Sequence, residues 1–115
     1  MSDGDGRWSL TRYERIDWDD DDDEHGNLVH CMRPGRLGPN AERIVNEVLA
    51  NEPVRLPDYP VKTAEVAIVG PDLNTDMWVI LFDTSHKRGD WLRPVTGWPA
   101  EVAERRSWEQ RRRRA

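Results

Sequence analysis

The chain has 115 residues, 37% of them hydrophobic and 34% charged, with a net charge of −5. That is one domain's length, with enough apolar content to exclude a disordered chain. No apolar run approaches the roughly 18 residues of a bilayer span. The opening MSDGDGRWSL lacks the order of a secretory signal, and a lone Cys31 excludes an intramolecular disulfide, so a cytoplasmic protein is expected.

Residues 1–7 are small and polar and are expected to form a disordered tail ahead of a single domain over 8–110. Trp8, Leu10, Ile16 and Trp18 fall at even positions interrupted by Arg12 and Glu14, which predicts an irregular first strand ending near Trp18. The run Asp19 to Glu24 repels itself too strongly to pack and reads as a solvated acidic loop or a frayed helical turn. GNLVHCM is a short helix or an extended segment that buries Leu28, Val29 and Met32, and RPGRLGP is a loop by its prolines and glycines. NAERIVNEVLANEP is the clearest helix, with Asn40 as N-cap, Ile44, Val45, Val48 and Leu49 as its apolar face, and Pro53 as its stop. VRLPDYPVKT continues as an extended connection.

AEVAIVG and MWVILF are strands joined by the turn PDLNTD, and DTSHKRGD turns into a last strand, WLRPVT. These three form an antiparallel meander. Residues 77–82 are apolar on both faces and should be its centre, while Pro94 places the last strand at an edge or breaks its pairing. Pro99 is placed at the first helical position of a C-terminal helix that runs through AEVAERRSWEQRRRR into the basic tail 111–115. Gly97 to Pro99 then make the strand-to-helix corner. The fold class is α+β: a meander of three to four strands packed with an internal helix and a C-terminal helix.

Charge is polarised along the chain. Residues 1–24 carry ten acidic and three basic side chains, a balance of −7, whereas 105–115 carry six arginines against one glutamate, a balance of +5. Such a split points to nucleic acid or to a charged protein partner.

The order of elements and several residues resemble the BrnT-type toxins. Trp18, Asp19, Asn27 and His30 in IDW-D and NLVH stand at places comparable to that family's opening motifs, before the Glu- and Val-rich helix. Arg93 and Thr96 match the first arginine and the serine of its strand-end motif, and Glu104, Arg105, Arg106 and Trp108 match its last helix. The resemblance spans roughly residues 16–110. It implies a RelE-like fold and the toxin of a type II toxin–antitoxin module, a metal-independent endoribonuclease acting on mRNA, free or ribosome-associated. It also implies neutralisation by an antitoxin protein, as a dimer or a heterotetramer with that partner. Pro34-Gly35 stands where the family has His-Gly, and Trp98 where it has a second arginine. These departures open a second expectation: a catalytically degenerate member of the fold that binds protein or RNA.

RNA cleavage by 2′-OH attack needs a base, an acid for the leaving 5′-oxygen and cations for the phosphorane. His30 with Arg33 offers a base and a phosphate clamp, and His86 with Lys87 and Arg88 offers the same pair on a hairpin tip. Arg93 offers a bidentate phosphate contact. The ordinary alternatives are structural histidines and a surface ion pair. Arg105, Arg106 and the run Arg111 to Arg114 are candidates for RNA phosphates, or else a solubilising tail. Trp108 is a candidate for base stacking, as are Trp91 and Trp98, which a small domain more readily spends on its core. The acidic run with His25, His30 and Cys31 fits no structural zinc spacing and lacks the glycine and distal glutamate of a calcium loop, so neither metal nor cofactor is expected. That run is instead a candidate phosphate mimic, covering the arginines or meeting a basic segment of the antitoxin.

Overall fold

A computed structural model describes residues 15–16, 18, 27–51, 53–56, 66–84 and 91–114. The N-terminal tail, most of the expected first strand, the acidic run, residues 57–65 and the hairpin tip with His86, Lys87 and Arg88 lie outside the described residues. The elements are β1 (Arg15–Ile16), α1 (Asn27–Cys31), a 3₁₀ turn (Gly38–Asn40), α2 (Ala41–Ala50), β2 (Val54–Arg55), β3 (Val66–Pro71), β4 (Met77–Thr84), β5 (Trp91–Pro99) and α3 (Val102–Arg114).

Among the described residues, five strands form one sheet in the order β1-β5-β4-β3-β2. The expected α+β meander is present, since β3 pairs antiparallel with β4 and β4 with β5. The strand that is apolar on both faces, β4, is its centre. Alternation along β4 explains why both faces needed covering: Ile80 and Phe82 point toward α1 and α2, whereas Val79 and Leu81 point toward α3. The first core joins Leu28, Cys31 and Leu37 to the predicted stripe Ile44, Val45, Val48 and Leu49, all buried, with Trp18 packed at its margin. The second core holds Val54, Val69, Val79 and Leu81, with Trp98 and Trp108 packed against it.

Several expectations are corrected. The chain places a parallel strand, β1, beside β5, with Ile16 opposite Leu92, so β5 is an inner strand over its first residues. Pro94 takes the second of its two expected roles and breaks the ladder. Phe82 pairs with Pro94 and Leu81 with Thr96, which leaves Val95 as the extra residue of a bulge. The corner does not lie at Gly97 to Pro99, and Pro99 is not the first residue of a helix. Val79 pairs with Trp98 and Trp78 with Pro99, so β5 continues to Pro99, where a missing N–H ends the strand at little cost. The Ala100 amide then donates to the Met77 carbonyl at 2.9 Å, and the Glu101 amide to Glu104 Oε1 at 2.8 Å, opening α3. Asn40 precedes α2 but makes no side-chain cap; the 3₁₀ turn feeds straight into the helix, with the Ala41 amide donating to the Gly38 carbonyl. Residues 57–65 fall outside the described region, while Val54–Arg55 of the expected connection pair with β3 as an edge strand.

One polar network pins α2 to the turn between β3 and β4. The Asp72 side chain is fully buried; its Oδ1 accepts from the Asn74 and Asp76 amides at 2.8 and 3.0 Å, and its Oδ2 from Trp78 Nε1 at 3.0 Å. Glu47 of α2 accepts from the Leu73 amide at 3.0 Å and from Arg43 at 2.7 Å. No helix among the described residues is long and apolar enough to cross a membrane.

Candidate functional site

GNLVHCM resolves into a single helical turn and a half, α1, because Asn27 at its start has a partner inside the protein. Asn27 is buried, and its Nδ2 donates to the Pro94 carbonyl at 3.0 Å, using an oxygen next to the bulge. Leu28 and Cys31 then face the core, while Val29 is half-buried and Met32, expected to be buried, is 40% exposed. Met32 lies one residue past the helix, where the chain has begun to turn outward. Burial pushes the Cys31 thiol up to about 11, so this cysteine packs and does not react at neutral pH.

After α1 the chain reverses through a turn whose geometry its residues dictate. In Arg33-Pro34-Gly35-Arg36 the Arg36 amide donates to the Arg33 carbonyl at 3.0 Å and Gly35 has φ +81°. Proline second and a left-handed glycine third are the signature of a type II β-turn, which brings its first and fourth residues together. The two are arginines, both exposed. Leu37 closes the loop with an amide bond to the Cys31 carbonyl at 2.9 Å and seats its side chain over Gly97 of β5. A Cβ on Gly97 would stand 2.7 Å from Leu37 Cδ2 and 2.8 Å from the Val79 carbonyl oxygen, so the docking needs glycine there. The Arg36 guanidinium lies 5.9 Å from the centre of the Trp98 ring, a cation–π contact that steadies it.

His30 belongs to this group. Arg33 Nη1 is 3.5 Å from its Nδ1, at the limit of a hydrogen bond. A guanidinium has only donors, so a bond here makes Nδ1 the acceptor and favours the tautomer with its proton on Nε2. Burial first, then Arg33 and Arg36, lower the His30 pKa below its ordinary 6.5, and the ring is neutral at pH 7. Arg93, half-buried on β5 opposite Asp83, joins at longer range: with Arg36 its charge acts on the Cys31 thiol.

The structure thus brings His30 and Arg33 together and adds Arg36, which is not among the residues expected from sequence, while Arg93 meets the group only through the Cys31 thiol. The signal for Arg36 was available in the R-P-G-R tetrapeptide, whose turn chemistry brings the backbones of the two arginines close together. Arg105 and Arg106 are exposed on α3, over the opposite face of the sheet, and the Trp108 ring packs against the second core there. Thr96 pairs with Leu81 on that same face, buried, and its hydroxyl has no hydrogen-bond partner among the described residues. His30 and Arg33 thus lie by the first core and the α3 candidates by the second, with Arg36 reaching the second core at Trp98.

No known protein family, no curated protein and no solved structure matches this chain.

Proposed function

We propose that the protein is an RNA-directed endoribonuclease toxin of a toxin–antitoxin pair, working in the cytoplasm, with the face built by α1, the Arg33–Arg36 turn and β5 as its phosphate-binding and cleavage site. The observation that carries this reading is a histidine whose Nδ1 stands 3.5 Å from the guanidinium of Arg33, on a turn whose fourth residue is a second arginine. A phosphodiester entering this face competes for Arg33, because a charge-assisted bond to a phosphate oxygen is stronger than a long contact to imidazole. Once Arg33 moves to the phosphate, His30 Nδ1 is free to take the proton of a ribose 2′-OH. The 2′-oxygen attacks phosphorus, the 5′-oxygen leaves, and the arginines balance the charge on the phosphorane. The leaving oxygen needs a proton from a second group, for which His86, with Lys87 and Arg88 beside it, is the sequence candidate. The exposed arginines of α3, on the other face, are assigned to the antitoxin.

A second reading, a catalytically silent RNA or protein binder on the same face, is favoured by one observation. Trp98 sits where the resemblance has its second arginine and serves as a platform for Arg36. Controlled expression in bacteria separates the two. The enzyme reading expects growth arrest with RNA fragments ending in 2′,3′-cyclic phosphate, both lost in His30→Ala and weakened in Arg33→Ala and Arg93→Ala. Arrest with intact RNA, or cleavage that survives His30→Ala, would refute the role given to His30.

A further inference from the structure

We infer that the groove between α1 and the start of α2 is a nucleobase-binding subsite for single-stranded RNA, adjoining the arginines that take the phosphate. This rests on the RNA reading above and adds to it where a base goes. The groove encloses about 630 Å³, within the size range of small-ligand clefts. Leu28, Val29, Met32 and Pro39 give it an apolar lining, and Asn40 and Glu42 give it a polar edge. Met32 is one of the few large apolar side chains left exposed among the described residues, which is a cost unless something covers it.

The polar edge has the chemistry that reads a base. The Asn40 amide is not spent on capping α2, so it keeps a donor and an acceptor side by side. Glu42, exposed in the first turn of α2, accepts from an exocyclic amino or ring N–H group. Arg43 also lines the groove, its guanidinium held by Glu47 at 2.7 Å and 4.0 Å from the buried Asp72 carboxylate. A fixed guanidinium is a surface on which a flat ring stacks.

Continuity with the cationic turn selects a nucleotide over an apolar peptide. Val29 and His30 are consecutive on α1, about 100° apart around the helix, and Met32 and Arg33 are consecutive just after it. The apolar lining and the phosphate-directed side chains are thus neighbouring sectors of one turn and a half of chain. A strand whose phosphate meets Arg33 and Arg36 has its base within reach of the groove. A protein segment filling the groove would bring its backbone toward those cations without an anion to match them.

The test compares two strands of equal charge on the full-length protein: a five-nucleotide single-stranded RNA and the same ribose-phosphate backbone without bases. One base stacked in the groove is expected to favour the RNA by about 5- to 150-fold. Met32→Ser and Val29→Asn, neutral changes at exposed and half-buried positions, should bring that ratio close to one while the abasic strand binds as before. Arg33→Ala should weaken both strands and leave the ratio standing. The Met32 methyl resonance should shift with RNA and stay in place with the abasic strand. A wild-type ratio near one, or a ratio that survives both groove variants with an unmoved Met32 methyl, overturns the subsite and leaves the groove to a protein partner, while the RNA reading stands on the binding itself. If neither strand binds in a salt-sensitive way, the RNA reading falls and the subsite falls with it.

Discussion

The proposed cleavage turns on His30, and the behaviour of that ring is set by its surroundings. Burial and two guanidinium groups penalise the imidazolium, so the folded-state pKa lies below 6.5. A histidine titration by NMR should show this depression, and Arg33→Ala should raise the value toward 6.5. Linkage gives the sign for stability. The folded state binds the proton more weakly than the unfolded chain, so the stability contributed by neutral His30 is present above pH 6.5 and lost as pH falls through the folded pKa. Thermal stability should therefore decline on acidification, and less so in His30→Gln. Thr96 makes the opposite case. It stands where the resembling family has a serine, yet its buried hydroxyl lacks a hydrogen-bond partner among the described residues and lies on the face away from His30. Thr96→Val removes an unpaired polar group from a buried site, so it should be neutral or stabilising by about 1 kcal/mol in urea unfolding and should leave RNA cleavage unchanged.

Two short elements decide whether the site exists. The Arg33–Arg36 turn depends on a left-handed backbone at Gly35, around which there is open space, so a side chain there would meet no obstacle except its own backbone. Gly35→Ala should cost about 1–2 kcal/mol or flip the turn. Either way the turn that sets Arg33 and Arg36 close together is lost, and RNA affinity should fall about tenfold while the far-ultraviolet circular dichroism stays native. The turn between β3 and β4 works differently, because its anchor is a buried carboxylate and not a backbone preference. Asp72→Ala strands Trp78 Nε1 and two turn amides, and urea unfolding should register a loss of about 2–4 kcal/mol. That network lies away from the arginine turn but holds Arg43 of the groove, so residual folded protein should bind the abasic strand with unaltered affinity and RNA more weakly.

At the scale of the molecule, the basic side chains fall into two groups by element. Arg33, Arg36 and Arg93 belong to the turn after α1 and to β5, and Arg105 and Arg106 to α3, although Arg36 reaches Trp98 at the second core and Arg93, by its register with Asp83, lies on the α3 face of the sheet. An RNA held by the first group alone releases counterions for about three phosphates, which predicts a log–log salt slope near −2 for a single strand. Arg33→Ala or Arg36→Ala should each flatten it by about 0.7. Arg105→Ala with Arg106→Ala should leave the slope as it was and weaken capture of the antitoxin. A slope that drops with the α3 pair would show that RNA wraps the sheet and that the two groups act as one.

The elements of the chain were legible wherever one local rule had no competitor. The period of Ile44, Val45, Val48 and Leu49 set α2 and its buried face, and the unbroken apolar run 77–82 placed β4 at the centre. His30 and Arg33 could be paired from their spacing alone, since three residues apart on a helical segment is a contact distance. What the sequence did not contain was anything that depends on a distant partner. The parallel pairing of Ile16 with Leu92 joins segments with most of the chain between them. The three extra residues of β5 exist because β4 offers a ladder as far as Trp78. Arg36 became part of the site because Leu37 fits over a glycine sixty positions along the chain and Trp98 stands beside it. Periodicity and turn chemistry are properties of neighbours in sequence and survive being read one segment at a time. The basic face of this protein is a property of which segments the sheet lays side by side, and only the folded chain decides that.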